Sequence, residues 1–259
     1  MAVSLAQISK TIEHSLLHPS MTDKEILAGL EIAKRNKVAT ACVKPYSISA
    51  ARDILDGSGV SICAVVGFPH GSSTTVIKVL EAEDAVKTGA REIDMVVNVG
   101  KVLGGDWEYV TNEIRAVNDT VLKHGAILKV IFENGFLQDE HVAHLCKICT
   151  ALTVAFIKTS TGFAFVKRPN GSYVSEGASV PRLRLMKANI GPTVQIKAAG
   201  GIRTLDEVMG AISLGVTRIG TSATADILEE AIRRGINTPP VISFVNITFK
   251  AMSTWATGI

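Results

Sequence analysis

The stretch Val154-Ala-Phe-Ile-Lys158, with its shorter companion Val194-Gln-Ile-Lys197, decides how this chain is read. Each is a short apolar run with strand character that ends on a lysine and then breaks into small residues, Thr159-Ser-Thr-Gly162 after the first and Ala198-Ala-Gly200-Gly201 after the second. An ammonium at the end of a buried strand is costly to desolvate, so its pKa falls, and a second cation nearby pushes it further the same way. The expected product is a neutral amine at neutral pH. Such an amine attacks carbonyl carbon and forms a Schiff base.

Working outward, the same kind of run recurs along the chain. Strands are expected at Thr11 to His14, Val38 to Val43, Val60 to Val66, Glu92 to Val97, Ile127 to Phe132, Thr153 to Lys158, Val194 to Lys197 and Val216 to Gly220. Helical periodicity fills the intervals: Asp23 to Asn36, Ser47 to Leu55, Thr75 to Thr88, Trp107 to His124, Gln138 to Ala151, Val180 to Ala188, Leu205 to Leu214 and Thr224 to Arg234. Repeated strand and helix units with right-handed crossovers give a parallel sheet, and eight of them give a closed α/β barrel of the (β/α)8 TIM type. A doubly wound open sheet is the alternative. The 259 residues suit one barrel domain, with an extra helix at the amino end and a tail, residues 239–259, that the pattern does not place.

Composition narrows the function classes. The net charge is only +3, and no basic run interleaves with aromatics, which argues against nucleic acid as partner. Lys10, Glu13 and His14 interrupt the amino-terminal apolar residues, and no run approaches the roughly 20 apolar residues of a membrane span, so a cytoplasmic protein is expected. Of the four cysteines, Cys146 and Cys149 form Cys-x-x-Cys inside a helical stretch without a second ligand pair, which reads as reduced helix packing rather than a metal or redox site. Cys42, in ACVKP, reads as a small packing residue near the pocket rim.

Strand parity then places the charges. In Glu92-Ile-Asp-Met-Val-Val-Asn98, Ile93, Met95 and Val97 share the face that meets the helices, so Asp94 points into the barrel. The same rule puts Lys129 with Glu133, and Gln195 with Lys197, on one face each. These charges form either a buried ion network or a catalytic constellation. The long irregular segment 162–177 follows the first lysine, as a pocket wall or as a surface hairpin turning at Pro169-Asn170-Gly171.

A phosphate site is a separate expectation. Gly200, Gly201 and Arg203 follow one strand, and Gly220 and Ser222 follow the last and open a helix. Paired glycines expose backbone N–H groups and a helix amino end adds a positive dipole.

Taken together, KTSTG at Lys158, KAAGGIRT at Lys197, EIDMVVN around Asp94, GFPHG at Gly67 and RIGTSA at Arg218 resemble the deoxyribose-phosphate aldolase family from Glu13 to about Glu230. The resemblance implies a class I aldolase that cleaves 2-deoxy-D-ribose 5-phosphate to D-glyceraldehyde 3-phosphate and acetaldehyde without metal or other cofactor. It implies Lys158 as the Schiff-base lysine, Lys197 as the second lysine that keeps it deprotonated, Asp94 as the proton donor and acceptor, and Gly200, Gly201, Arg203, Gly220 and Ser222 as the phosphate region. It also implies small phosphosugar and aldehyde substrates, and a homodimer or homotetramer. Glu13 stands where many members have aspartate, and Phe163 where some have lysine.

Overall fold

The barrel strands are rich in β-branched and apolar residues, interrupted by charges such as Glu13, Asp94, Lys129 and Lys197, and most of their residues are buried because helices cover one face and the barrel interior the other. The computed structural model describes residues 3–236. In chain order these are α1 (Leu5–Thr11), β1 (Ile12–Leu16), α2 (Asp23–Arg35), β2 (Thr40–Val43), α3 (Ile48–Leu55), β3 (Ser61–Val66), α4 (Thr75–Thr88), β4 (Glu92–Val96), α5 (Val99–Leu103), α6 (Trp107–Lys123), β5 (Ile127–Ile131), α7 (Asp139–Ala151), β6 (Phe156–Lys158), β7 (Phe165–Lys167), β8 (Tyr173–Ser175), α8 (Val180–Asn189), β9 (Gln195–Ala199), α9 (Leu205–Ser213), β10 (Arg218–Thr221) and α10 (Thr224–Arg233). Strands β1, β10, β9, β6, β5, β4, β3 and β2 pair in that order, all parallel, and close on themselves. This is the expected eight-stranded barrel, with α1 as its extra amino-terminal helix. The tail at residues 239–259 lies outside the described residues. No helix among the described residues is long and apolar enough to cross a membrane.

Local chemistry starts the helices. Thr22 accepts from the Glu25 amide while Glu25 reaches back to the Thr22 amide, and Thr204 and Glu207 make the same reciprocal pair at α9. Ile93 and Met95 join the main apolar core between sheet and helices, as parity requires. A buried ion pair ties that outer layer to the strand carrying Asp94: Lys78 of α4 donates to the Val96 carbonyl and to Glu113 of α6, both at 2.8 Å, and Glu113 accepts from the Asn98 amide at 3.1 Å.

Segment 162–177 satisfies both of its readings. β7 and β8 form an exposed antiparallel hairpin, with the Arg168 amide donating to the Ser172 carbonyl at 2.8 Å. Its ends reach inward, and at the trailing end a Cβ on Gly177 would stand 2.0 Å from the Gly200 carbonyl oxygen. Only glycine fits there. The Ala178 amide then donates to that oxygen at 3.1 Å, fastening the hairpin to the loop after β9.

Candidate active site

Register explains why the charged residues meet. Lys158 on β6 is the direct partner of Lys197 on β9, and Asp94 on β4 is the partner of Lys129 on β5. Parallel partners point their side chains the same way, so both pairs face the barrel interior. Lys129 in turn pairs with Phe156, two residues before Lys158, which sets Lys158 one layer nearer the carboxyl end.

Asp94 sits at the centre. Its Oδ2 lies 2.8 Å from Lys158 Nζ and 2.5 Å from Lys197 Nζ, and its Oδ1 lies 2.9 Å from Lys129 Nζ and 3.2 Å from the Cys63 thiol. Lys197 also pairs with Glu13, which therefore faces the interior and accepts from Thr40 Oγ1 at 2.7 Å. Lys129 contacts Glu13 at 3.1 Å and Glu92 at 2.8 Å, and Arg218 reaches Glu92 at 3.2 Å. The ion network and the lysine pair, set apart as alternatives in the sequence, are one connected structure. Gln195 departs from the expectation: it is exposed and accepts from Thr217 Oγ1 at 2.8 Å, away from this network.

Burial would push the Asp94 pKa up, but Lys129 and Lys158 hold it well below the ordinary carboxylate range. For Lys158, burial pulls down while Asp94 pulls up, and the ion pair wins. Lys197 is driven well down by burial and by Arg218. One carboxylate oxygen thus touches both amines, a contact that the spacing of the two lysines in the sequence does not reveal.

Both amines open into a cavity of about 490 Å³ that is also lined by Gly200, Gly201, Arg203, Gly220 and Ser222. The structure thus brings the two lysines and the expected phosphate-region residues to one space, with the fully buried Asp94 behind the amines rather than in the lining. Gly200 and Gly201 adopt φ of +92° and +81°, which places this loop over the cavity at low conformational cost. Gly220 has a further role, since a Cβ there would sit 3.5 Å from Lys197 Cε and 3.2 Å from Ala199 Cβ. The Arg203 amide donates to Glu207 at 2.8 Å, so that amide is already taken. Phe163 also lines it and meets Phe68 edge-on, with ring centroids 5.6 Å apart, while the Phe68 ring lies 5.9 Å from Lys158 Nζ.

Cys42 is buried against Cys63, with sulfurs 3.6 Å apart, and it lines the cavity from behind the rim. Burial lifts the Cys63 thiol well above its ordinary range and the Cys146 thiol to about 12, so both are neutral. The ligating atoms of Glu13, Cys42, Cys63 and Asp94 lie within 4.8 Å of one another. Lysine ammonium groups already contact both carboxylates and the Cys63 sulfur of that set, and a metal ion would have to displace them.

His14 is buried and its Nδ1 stands 2.8 Å from Thr224 Oγ1. Burial holds its pKa at about 4, against 6.5 when unfolded. The unfolded chain therefore binds the proton first, and stability falls as pH drops from 6.5 toward 4, by about 3 kcal/mol in total. Urea unfolding at several pH values should show that slope, and His14→Gln should flatten it.

The family comparison decides what this arrangement belongs to. Residues 8–227 match the model of the DeoC/LacD family aldolase. The chain belongs to the DeoC/LacD family of aldolases. Over 234 residues it is 44% identical to a deoxyribose-phosphate aldolase of Rhodopirellula baltica, covering 90% of this chain and 92% of the relative. It is 41% identical over 217 residues to one of Treponema denticola, covering 84% and 96%. Among solved structures, a tetrameric deoxyribose phosphate aldolase of Aeropyrum pernix superposes with a TM-score of 0.78 at 26% identity, covering 89% and 92%. Within a DeoC/LacD aldolase the chemistry must be carbon–carbon bond making or breaking next to a carbonyl, and Glu92, Lys129 and Arg218 join the expected residues as its buried support. Their signal in the sequence was inward parity alone.

Proposed function

We propose that the protein cleaves 2-deoxy-D-ribose 5-phosphate to D-glyceraldehyde 3-phosphate and acetaldehyde, reversibly, through a Schiff base on Lys158. The observation that supports this most directly is the pair of amines on one oxygen of Asp94, 2.8 and 2.5 Å away, at the floor of a cavity whose other end is the glycine loop. Asp94 Oδ2 touches both amines, so a proton passed across it from Lys158 to Lys197 frees the nucleophile without crossing bulk water. The freed amine attacks the C1 aldehyde of the open-chain sugar, and loss of water gives the protonated imine. The C3 hydroxyl gives its proton to the Asp94–Lys197 pair, its oxygen forms the new carbonyl as the C2–C3 bond breaks, and the imine takes up that bond's electrons, releasing glyceraldehyde 3-phosphate and leaving an enamine. Asp94 and Lys197 then deliver a proton to the terminal carbon, and water releases acetaldehyde.

Gly200, Gly201, Gly220, Ser222 and the Arg203 side chain hold the phosphate in this reading. They support it by position, since the loops after the last two barrel strands, with an adjoining helix start, are a frequent phosphate site. The role is deoxyribose phosphate catabolism in the cytoplasm, by a homodimer or homotetramer. The test is acetaldehyde release from 2-deoxy-D-ribose 5-phosphate, with unphosphorylated 2-deoxyribose as comparator. The phosphorylated sugar should be preferred by 100-fold or more in kcat/KM, roughly 3 kcal/mol of phosphate binding. Equal turnover of both sugars would remove the phosphate assignment.

A further inference from the structure

Lys129 is fully buried, one layer below the reacting pair, and the chemistry above gives it no step. It nevertheless touches Glu13, Glu92 and Asp94 at 3.1, 2.8 and 2.9 Å and the Cys63 sulfur at 3.1 Å. No other lysine of the network has as many acidic partners.

The charges in this network can be balanced. Glu13, Glu92 and Asp94 give three negative charges, while Lys129, Lys158, Lys197 and Arg218 would give four positive ones if all were protonated. Burial keeps Cys63 a neutral thiol, so it does not correct the excess. Glu133, just past the strand of Lys129, accepts from the Thr161 amide at 3.1 Å and from the Thr161 hydroxyl, and among the described residues it makes no ion pair with this network. An uncompensated buried charge is expensive, and arginine does not release its proton. One lysine must therefore give up a proton. Lys129, held by three carboxylates, is the least able to do so, and the deficit falls on Lys158 and Lys197, which share one oxygen.

We infer that Lys129 is a positioning residue whose fixed charge makes the Lys158–Lys197 pair run one proton short, and that it holds Asp94 by Oδ1 so that Oδ2 alone faces both amines. This rests on the Schiff-base reading of Lys158. Replacing Lys129 by methionine would leave three cations against three carboxylates, so both amines would keep their protons near neutral pH. Replacing Glu92 by glutamine would do the opposite.

The test is the pH midpoint of adduct formation on Lys158, using acetaldehyde with cyanoborohydride and peptide mass spectrometry. Relative to the unmodified protein, Lys129→Met should move the midpoint alkaline by about one unit or more, a tenfold slower trapping at a fixed pH below it. Glu92→Gln should move it acid, and the double variant should return it. Opposite shifts that cancel are not expected of a merely structural residue, which would lower the amplitude instead. If Lys129→Met does not fold, the acid shift of Glu92→Gln decides. Unmoved midpoints in folded variants would overturn the inference while adduct on the unmodified protein upheld Lys158. Absence of that adduct would overturn the Schiff-base reading and this inference together.

Discussion

Lys158→Met should abolish aldehyde adduct formation and lower kcat/KM on the order of 10⁴-fold or more, because a lost covalent nucleophile leaves only binding and electrostatics. The unusual part of the expectation concerns stability. Lys158 is one of four cations facing three carboxylates, and methionine fills a similar volume without charge. The lysine pair already runs one proton short, so in Lys158→Met the Lys197 amine takes the charge and the network stays balanced; the melting temperature should hold while activity disappears. Calorimetry on the inactive variant checks this, and a large fall in melting temperature would mean that Lys158 is needed chiefly for structure.

Asp94→Asn should act differently. Asparagine preserves shape but removes the charge that two lysines share at Oδ2 and a third meets at Oδ1, leaving two carboxylates against four cations. Removing one member of a buried ion cluster costs about 3–5 kcal/mol, readable in urea unfolding. Turnover should fall by about 10²–10⁴-fold through loss of general acid and base catalysis. Adduct formation should survive, since Lys158 without Asp94 loses the partner that holds its proton. A variant that turns over normally would show that Asp94 only balances charge.

Much of this was legible beforehand for simple reasons. The barrel could be read because strand-like runs rich in β-branched and apolar residues alternate with helical periodicity, and parity in EIDMVVN sufficed to send Asp94 inward. Paired glycines and the helix after Gly220 marked the loops that share the cavity with Lys158. Contacts made through three dimensions were not legible. Glu13, Lys129 and Arg218 come from three separate strands and meet only after closure, so their mutual distances leave no trace in spacing. The sharing of one Asp94 oxygen by the two lysines, with Arg218 beside one of them, was hidden for the same reason. Short α5 and the Gly177 contact with Gly200 likewise follow from packing rather than local pattern, whereas the hairpin was marked by its Pro169-Asn170-Gly171 turn.

The central claim is that Lys158 is the carbonyl-attacking amine, and reductive trapping tests it most directly. The protein is incubated with acetaldehyde and borohydride, digested, and every lysine peptide is weighed. The expected result is an ethyl adduct on Lys158, absent in Lys158→Met and weaker in Lys197→Ala. A folded protein that carries no adduct on Lys158, or carries it on another lysine, would contradict the claim.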